Sequence, residues 1–228
     1  MHVEIWSDIA CPWCYVGKRR FESALSTFAH REDVQVTWRS FELDPSAPPE
    51  RVGDGASHLA EKYATSREQA LTMQQHMTDV AAGQGLDFRF DLARSGSTLD
   101  AHRLLHLAAV QGCQDLLKER LLRAYLTEGE PIGDRATLQR LAPQVGLPLD
   151  EVRNVLDTDR YADEVREDER TAASMGISAV PFFVVDRALG ASGAQPAEVL
   201  LDLLERAWAA RPAMSVVAGG ATCDVNGC

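Results

Sequence analysis

Segments with strand character lie at the two ends of this 228-residue chain and bracket a long middle with helical periodicity. Near the start, a β-branched and aromatic run at 3–6 precedes a helical apolar stripe and a second, alternating run at 34–38. Near the end, an apolar run at 182–185 is followed by a tight turn at 186–187, a partner strand and an amphipathic helix. The first strand, helix and strand are compact enough for a right-handed βαβ unit. The pattern predicts an α/β fold interrupted by a large all-helical insertion.

The same pattern predicts the domain limits. Residues 1–45 and 176–211 are expected to form the strand-bearing domain, and residues 46–175 the helical insertion. The Gly-containing stretch 212–228 is expected to be a flexible tail. The final helix is expected to bury four apolar side chains: Val199, Leu200, Leu203 and Leu204. Two charged runs are expected to be solvated helix faces: Lys18-Arg19-Arg20 and the acidic stretch 157–169.

Charge and composition limit the classes of partner that this protein is expected to bind. Lys and Arg number 23 against 34 Asp and Glu, which gives a formal net charge of −11. This balance argues against nucleic acid or an anionic membrane as the main partner. No apolar run approaches the ~18 residues of a membrane span. The first ten residues include His2, Glu4 and Asp8 instead of a basic head and an apolar stretch, so we expect no signal peptide and a cytoplasmic location.

The strongest chemical motif is Cys11-Pro12-Trp13-Cys14, which directly follows the first strand-like run and begins a helical stretch. Unpaired N–H groups and the helix dipole stabilise an anion at a helix N-terminus, and thiols there have pKa values of roughly 3.5–7.5 instead of about 8.5. Cys11 is therefore the predicted nucleophile, and Cys14 the thiol that displaces it from a mixed disulfide. Buried structural cysteines and half of a zinc site are the other interpretations.

Val180-Pro181 is the second motif. It stands just before an apolar strand, where a missing N–H is tolerated. X–Pro bonds adopt the cis isomer at low cost, so this bond is a candidate cis peptide. An ordinary trans turn proline is equally compatible with the sequence alone.

Five motifs occur in series along the chain. In order they are Asp8-x-x-Cys11-Pro12-Trp13-Cys14-Tyr15-x-Gly17, Arg39-x-Phe41-x-Leu43-x-Pro45, Ala101-His102-Arg103-Leu104, Val180-Pro181-Phe182-Phe183 and Ser192-Gly193-Ala194-Gln195-Pro196. Together they resemble the FrnE-like branch of the DsbA family, from about residue 3 to residue 208. The resemblance implies a thioredoxin-like fold with a helical insertion, in agreement with the segment pattern.

The resemblance also implies a function and its residues. It implies a thiol–disulfide oxidoreductase or isomerase in which Cys11 attacks, Cys14 resolves and Pro181 is the cis-proline beside them. In the family, the backbone before that proline, here Val180, pairs with an extended substrate segment. Disulfide-bearing proteins or peptides are the implied substrates, with a thiol reductant such as glutathione. No cofactor is expected beyond the Cys11–Cys14 disulfide, and no metal.

Two departures from the family pattern have consequences. Ser97-Thr98 stands where relatives often carry Asn-Thr, so any role of that Asn does not transfer. Trp13 occupies the place of a His in secreted DsbA enzymes, so no imidazolium helps to stabilise the Cys11 thiolate. We therefore expect a less oxidising pair that acts as reductase or isomerase, with a reduction potential below about −150 mV.

Other candidate site residues are weaker. Pro12, Trp13, Val180, His102 and Arg103 are predicted to line the substrate cleft, although a structural histidine and a solvated arginine are alternatives for the last two. His106 lies four residues after His102, yet no third metal ligand is evident. Glu4 is a candidate proton acceptor for Cys14 or a solvent-facing residue.

Three cysteines lie outside the first motif. Cys223 and Cys228 enclose Asp-Val-Asn-Gly, which can turn tightly enough to close a disulfide. They form a candidate secondary redox pair that exchanges electrons with Cys11–Cys14, or an incidental pair. Cys113 is expected to be a buried small residue.

Two other functions share these features. Kappa-class glutathione transferases and hydroxychromene carboxylate isomerases have a similar insertion but typically keep a single Ser or Cys at the Cys11 position, so Cys14 argues against them. A non-enzymatic alternative is an all-cysteine zinc site built from Cys11, Cys14, Cys223 and Cys228.

Overall fold

The computed structural model describes residues 1–51 and 53–211, so Cys223 and Cys228 lie outside the described residues. The strands in this part of the chain are β1 (His2–Ser7), β2 (Gln35–Ser40), β3 (Phe182–Val185) and β4 (Leu189–Ser192). The helices are α1 (Pro12–Thr27), α2 (Gly55–Lys62), α3 (Arg67–Ala82), α4 (Leu99–Val110), α5 (Gln114–Leu126), α6 (Arg135–Leu141), α7 (Leu149–Asp157), α8 (Ala162–Ser174) and α9 (Ala197–Ala209).

The four strands form one sheet in the order β2-β1-β3-β4. β1 and β2 are parallel and connected through α1, which confirms the predicted βαβ unit. β3 is antiparallel to both β1 and β4. Asp186 and Arg187 both have positive φ, 48° and 53°, as a two-residue type I′ hairpin turn requires. β1 therefore lies in the middle of the sheet and directs its C-terminal end toward the start of α1.

Two large cores stabilise the part of the chain that the structure describes. One packs α1 and α9 on the sheet and includes Ile5, Phe21, Phe183 and Leu204. The other belongs to the helical middle and is formed mainly by α4, α5, α6 and α7. A third cluster joins α1 to α3 and α5. The α/β fold class with a helical insertion is confirmed, while the exact domain limits at 45/46 and 175/176 stay predictions.

Burial differs from the sequence expectation at Val199 and at Asp168. Val199 is 44% exposed on α9, whereas Leu200, Leu203 and Leu204 are buried as expected. Asp168, within the acidic run, is buried because its carboxylate accepts hydrogen bonds from Ser40 N and Arg39. Across residues 1–51 and 53–211, no helix is long and apolar enough to cross a membrane.

Candidate active site

Cys11 is the N-cap residue of α1, with φ −93° and ψ 112°, and Pro12 occupies the first helical turn. Proline suits this position because its missing N–H would have no intrahelical partner and its φ is already helical. The Cys11 carbonyl accepts the Cys14 N–H at 3.1 Å, which begins the helix. The sequence therefore aims the Cys11 side chain out of the helix N-terminus, where the helix dipole favours an anion.

The loop before β3 lies across this N-terminus. The Val180–Pro181 peptide is cis, and the Cys11 thiol donates a hydrogen bond to the Val180 carbonyl oxygen at 3.6 Å. Gly17 permits this close approach, since a Cβ there would lie 2.8 Å from Pro181 Cγ. Two motifs about 170 residues apart in sequence thus meet at one sulfur atom.

Cys14 lies beneath Cys11 and is fully buried, whereas Cys11 is 4% exposed. Burial raises the pKa of the Cys14 thiol well above its ordinary value, and Cys11 adds to the shift by hydrogen bonding and charge. The positive charge of Lys118 acts in the opposite direction. The two cysteines are both free thiols in this structure. Both thiols are buried, and Cys11 is the one nearer to solvent.

Lys118 on α5 contributes an unexpected buried charge. Its side chain is fully buried, and its ammonium donates a hydrogen bond to the Ser7 carbonyl oxygen at 3.4 Å. Burial lowers the pKa of Lys118 to about 8, although the charges of Cys14 and Asp8 oppose this shift. Sequence reasoning did not identify Lys118, because a single lysine on a helix carries no signal of its environment.

Asp8 is the buried carboxylate of the same region. It accepts hydrogen bonds from Leu43 N at 2.8 Å and from Ala10 N at 3.3 Å, and it lies 3.3 Å from His102 Nε2. Burial raises the pKa of Asp8, but the hydrogen bond and charge of His102, the Leu43 N–H and the charge of Lys118 together lower the pKa overall. Burial lowers the pKa of His102. Asp8 therefore ties the loop before Cys11 to α4.

Arg103 and His106 serve packing rather than the thiol pair. The Arg103 guanidinium is buried and donates to the Arg160 carbonyl at 2.9 Å and to the Val155 and Thr158 carbonyls. It therefore holds the C-terminal end of α7, which corrects the solvated expectation, while its place in the substrate cleft stays a prediction. His106 Nε2 lies 3.2 Å from Asp168. Among their described hydrogen bonds, neither His102 nor Arg103 reaches Cys11, Cys14 or Val180.

Glu4 does not act on Cys14. Its carboxylate is buried and forms ion pairs with Arg39 at 2.6 Å and Arg187 at 2.8 Å. Burial raises its pKa, but these two guanidinium groups lower it to about 2 overall. A carboxylate with so low a pKa is a poor proton acceptor. The solvent-facing alternative is wrong as well.

Lys18 corrects the expectation of a solvated basic face on α1. Its side chain is 2% exposed, and its ammonium forms ion pairs with Glu22, with Asp115 at 3.2 Å and with Glu119 at 3.3 Å. Arg19 also binds Glu119. We call Lys18, Arg19, Glu22, Asp115 and Glu119 the Lys18 cluster; it fastens α1 to α5.

The other residues predicted to line the substrate cleft are Pro12, Trp13 and Val180. Trp13 is 39% exposed, and Pro12 and Val180 are half-buried. Cys113 is half-buried and not fully buried as expected; it lies at the N-cap of α5 and packs against the helical core. In the part of the chain that the structure describes, no group of three or more His, Cys, Asp or Glu side chains is placed to hold a metal ion.

The thiol pair lies at the N-terminus of the first helix, beside a cis-proline that precedes a strand of a mixed sheet. These features define a thioredoxin-fold protein. The helices between β2 and β3 form an insertion in that fold. The chain belongs to the DSBA-like thioredoxin domain family, whose model matches residues 2–205. The match does not separate branches of the family, so the FrnE-like assignment stays a prediction.

Three proteins illustrate how similar this chain is to known sequences and structures. The crystal structure of the probable DsbA oxidoreductase SCO1869 from Streptomyces coelicolor is 47% identical, with a TM-score of 0.90, over 100% of this chain and 98% of that chain. The uncharacterised protein YwbO from Bacillus subtilis is 29% identical over 187 residues, 81% of this chain and 86% of its own length. The structure of the cytosolic disulfide reductase DsbM from Pseudomonas aeruginosa with GSH is 18% identical to this chain and has a TM-score of 0.65. The match covers 92% of this chain and 100% of that chain, and it shows that the two share the fold.

Proposed function

We propose that this protein is a thiol–disulfide oxidoreductase or isomerase that acts on disulfides in proteins or peptides through Cys11 and Cys14. The observation that carries the proposal is the contact between the Cys11 thiol and the Val180 carbonyl, 3.6 Å away beside cis-Pro181. A sulfur at a helix N-terminus beside the backbone of the half-buried Val180 can attack a disulfide in an extended segment that pairs with this backbone.

The proposed reaction has two exchange steps. The Cys11 thiolate attacks a substrate sulfur, forms a mixed disulfide and releases the other substrate sulfur as a thiolate. Cys14 then attacks Cys11 Sγ, the bond to the substrate breaks, and the second substrate thiolate leaves. The dithiol loses two electrons and the substrate disulfide gains them. An external thiol restores the dithiol, and we propose glutathione for this role because the similar DsbM structure was solved with GSH.

The proposed setting is the cytoplasm, and the proposed direction is reduction or isomerisation. Trp13 stands between the cysteines, so the motif itself supplies no imidazolium to stabilise the Cys11 thiolate. The acidic net charge of −11 supports a protein substrate over nucleic acid. A reduction potential above about −150 mV would contradict the reductive direction.

The first experiment is turbidimetric reduction of insulin by dithiothreitol with catalytic amounts of protein. We expect acceleration by the wild type, none by Cys11→Ser, and accumulation of a protein–substrate mixed disulfide with Cys14→Ser, because only the resolving step is then blocked. No acceleration by the wild type would contradict the proposal and favour glutathione-dependent isomerisation or the zinc site.

Two further tests separate the alternatives. Equimolar zinc after purification in metal-free buffer would favour the all-cysteine site, whose ligands Cys223 and Cys228 lie outside the described residues. Mass spectrometry of the Cys14→Ser variant tests the proposed electron exchange with the tail pair. An adduct between Cys11 and either tail cysteine supports it, and the absence of any adduct argues against it.

A further inference from the structure

The segment 192–196, with the sequence Ser-Gly-Ala-Gln-Pro, connects β4 to α9, and the exchange reaction assigns no role to it. We call it the 192–196 loop. The Gly193 N–H donates a hydrogen bond to the Pro181 carbonyl oxygen at 2.8 Å. The φ of 80° at Gly193 favours glycine at this position. The loop therefore holds the backbone of the residue that directly follows Val180.

Arg20 on α1 binds the other side of this loop. Its guanidinium donates a hydrogen bond to the Ala194 carbonyl oxygen at 2.5 Å, and the Ala194 side chain packs against the cluster that joins α1 to α3 and α5. Arg20 is half-buried, and its neighbours in the basic run, Lys18 and Arg19, bind carboxylates instead. A hydrogen bond from a charged donor is roughly twice as strong as one between neutral groups. The guanidinium therefore holds the loop against α1.

The contacts of the loop return to the helix that carries the attacking thiol. Cys11 is the N-cap of α1, and its thiol donates to the Val180 carbonyl oxygen at 3.6 Å. Farther along α1, a Cβ at Gly17 would lie 2.8 Å from Pro181 Cγ, so the helix and the segment before β3 are in close contact. Arg20 adds a third connection through the loop. α1 therefore sets the position of the Val180 backbone relative to the Cys11 sulfur at three points.

A peptide substrate needs this position more than a small disulfide does. An extended segment that pairs with the Val180 backbone presents its disulfide to Cys11 in a geometry that the protein fixes. A misplacement of about 1 Å can reduce the rate of such a reaction about 10²-fold. A small disulfide pairs with no backbone and approaches the sulfur freely, so the attack on it depends on the Cys11 thiolate alone.

We propose that Arg20 is a positioning residue for peptide substrates: through this loop it keeps the Val180 backbone where an extended peptide presents its disulfide to Cys11. The inference rests on the proposed function and deepens it, because it concerns the binding of peptide disulfides and not the ionisation of the thiols. It also gives the 192–196 loop a role in the site.

The step that Arg20 supports is the first exchange. The Cys11 thiolate forms a bond to one sulfur of the peptide disulfide while the bond between the two peptide sulfurs breaks. The electron pair of the broken bond leaves with the other sulfur, and this thiolate takes a proton from solvent. Arg20 changes neither its protonation nor its covalent bonds.

The test uses the full chain with its three other cysteines replaced by serine: Cys113, Cys223 and Cys228. Three substrates are compared, namely a short peptide with one internal disulfide, the same peptide methylated at the backbone nitrogens beside its cysteines, and 5,5′-dithiobis(2-nitrobenzoate). The peptides are reduced with dithiothreitol as donor, and initial rates above the uncatalysed rate give kcat/KM. The small disulfide is mixed with reduced protein alone, and the release of thionitrobenzoate reports attack by Cys11.

Arg20→Met removes the donor but keeps the aliphatic stem, and Arg20→Lys keeps a charged donor. Arg19→Met is the matched control, because Arg19 binds Glu119 on α5 and not the loop. We expect Arg20→Met to lower kcat/KM for the unmodified peptide about tenfold, while thionitrobenzoate release stays within about twofold of the wild type. Arg20→Lys and Arg19→Met should stay within about threefold of the wild type with both substrates.

The methylated peptide isolates the backbone pairing. It lacks the N–H groups that pair with the Val180 backbone, so the wild type should reduce it more slowly than the unmodified peptide. With this peptide, Arg20→Met should stay within about twofold of the wild type, since the position that Arg20 maintains is no longer used.

Five outcomes would overturn the inference. They are an unchanged kcat/KM for the unmodified peptide in Arg20→Met, an equal loss with the small disulfide, an equal loss with the methylated peptide, an equal loss in Arg19→Met and an equal loss in Arg20→Lys. If Arg20→Met does not fold, Arg20→Gln takes its place under the same criteria. A wild type that reduces neither the peptide nor the small disulfide would overturn the proposed function itself, which separates the two failures.

Discussion

Two buried lysines lie beside the same aromatic ring in opposite surroundings. The ammonium groups of Lys18 and Lys118 are 5.9 Å and 5.5 Å from the centroid of Trp38. Lys18, between α1 and α5, has three carboxylate partners, Glu22, Asp115 and Glu119. The fully buried Lys118 donates to the Ser7 carbonyl oxygen and has no carboxylate ion pair among the described residues.

The pKa values of the two lysines differ because of their partners and not because of burial. Burial works against the charge of both. For Lys18, the carboxylates outweigh burial and raise the pKa above its ordinary value. For Lys118, burial prevails and lowers the pKa to about 8. A buried charge with ion-pair partners keeps its protonation state and holds the packed elements together. A buried charge without such partners changes its pKa when the charge of its neighbours changes.

α5 carries both environments on one helix. Asp115 and Glu119 face Lys18, while Lys118 faces the interior. The Gln114 side chain also binds the Trp38 backbone, accepting its N–H and donating to its carbonyl, both at 2.9 Å. The helical insertion therefore meets the edge strand β2 and the active-site helix through the same few residues.

The largest expected loss tests Asp8, a buried carboxylate that accepts hydrogen bonds from Leu43 N and Ala10 N. Asp8→Asn keeps the shape but removes the charge and turns an N–H₂ group toward one of these backbone donors. Each hydrogen bond to a charged group contributes about 1.5–3 kcal/mol and both are disturbed, so we expect a loss of about 4 kcal/mol in the free energy of unfolding in urea at pH 7. The matched control is Glu119→Gln, where Lys18 keeps two carboxylates and the loss should be about 1 kcal/mol. Equal losses would remove the distinction between the two environments.

Glu4 is a third buried charge, and it has two guanidinium partners, Arg39 and Arg187. Its pKa is about 2 in the folded protein against 4.5 ordinarily. The carboxylate therefore contributes stability above pH 4.5, and this contribution is lost as the pH falls from 4.5 toward 2. The shift corresponds to about 3 kcal/mol.

Glu4→Gln is expected to lose that amount at pH 7 and to approach the wild type near pH 2. Unfolding free energies measured across pH 2–7 check this expectation. A difference between the two proteins that does not change with pH would mean that the arginines do not set the ionisation of Glu4.

Gly17→Ala perturbs the geometry of the site without changing any charge. The new Cβ would lie 2.8 Å from Pro181 Cγ, so α1 or the cis-proline loop must shift. Overpacking of this kind costs about 1–3 kcal/mol. We expect a lower melting temperature and slower insulin reduction, with the same relative slowing at every pH. A pH-dependent effect would show that steric and electrostatic disturbance cannot be separated here.

The smallest effect is expected for Lys18→Met. It leaves three carboxylates that are 29–59% exposed and can return to water. The loss should be about 1 kcal/mol in urea unfolding and should shrink with added salt, because exposed ion pairs are weak and screened. A loss as large as that of Asp8→Asn would contradict the view that the exposed carboxylates keep the ion pairs of Lys18 weak.

The sequence by itself determined the elements and the thiol motif. Strand character at 3–6, helical periodicity after Pro12 and the turn at 186–187 are local properties, and each appears in the structure as predicted. Proline at the first helical position and a cysteine before it fix the N-cap locally as well. Family motifs in series then connected Cys11 to Pro181, which no local rule could do.

Only the tertiary structure decided which charges are buried and with what. Lys18, Glu4, Arg103 and Asp168 all have the sequence appearance of solvated residues, yet each is buried against partners that lie distant in the chain. Lys118 has no sequence signal at all, since its position depends on how α5 packs on the end of β1. The free energy of a charge depends on its desolvation and on the counter-charges around it, and both are properties of the folded packing rather than of neighbours in sequence.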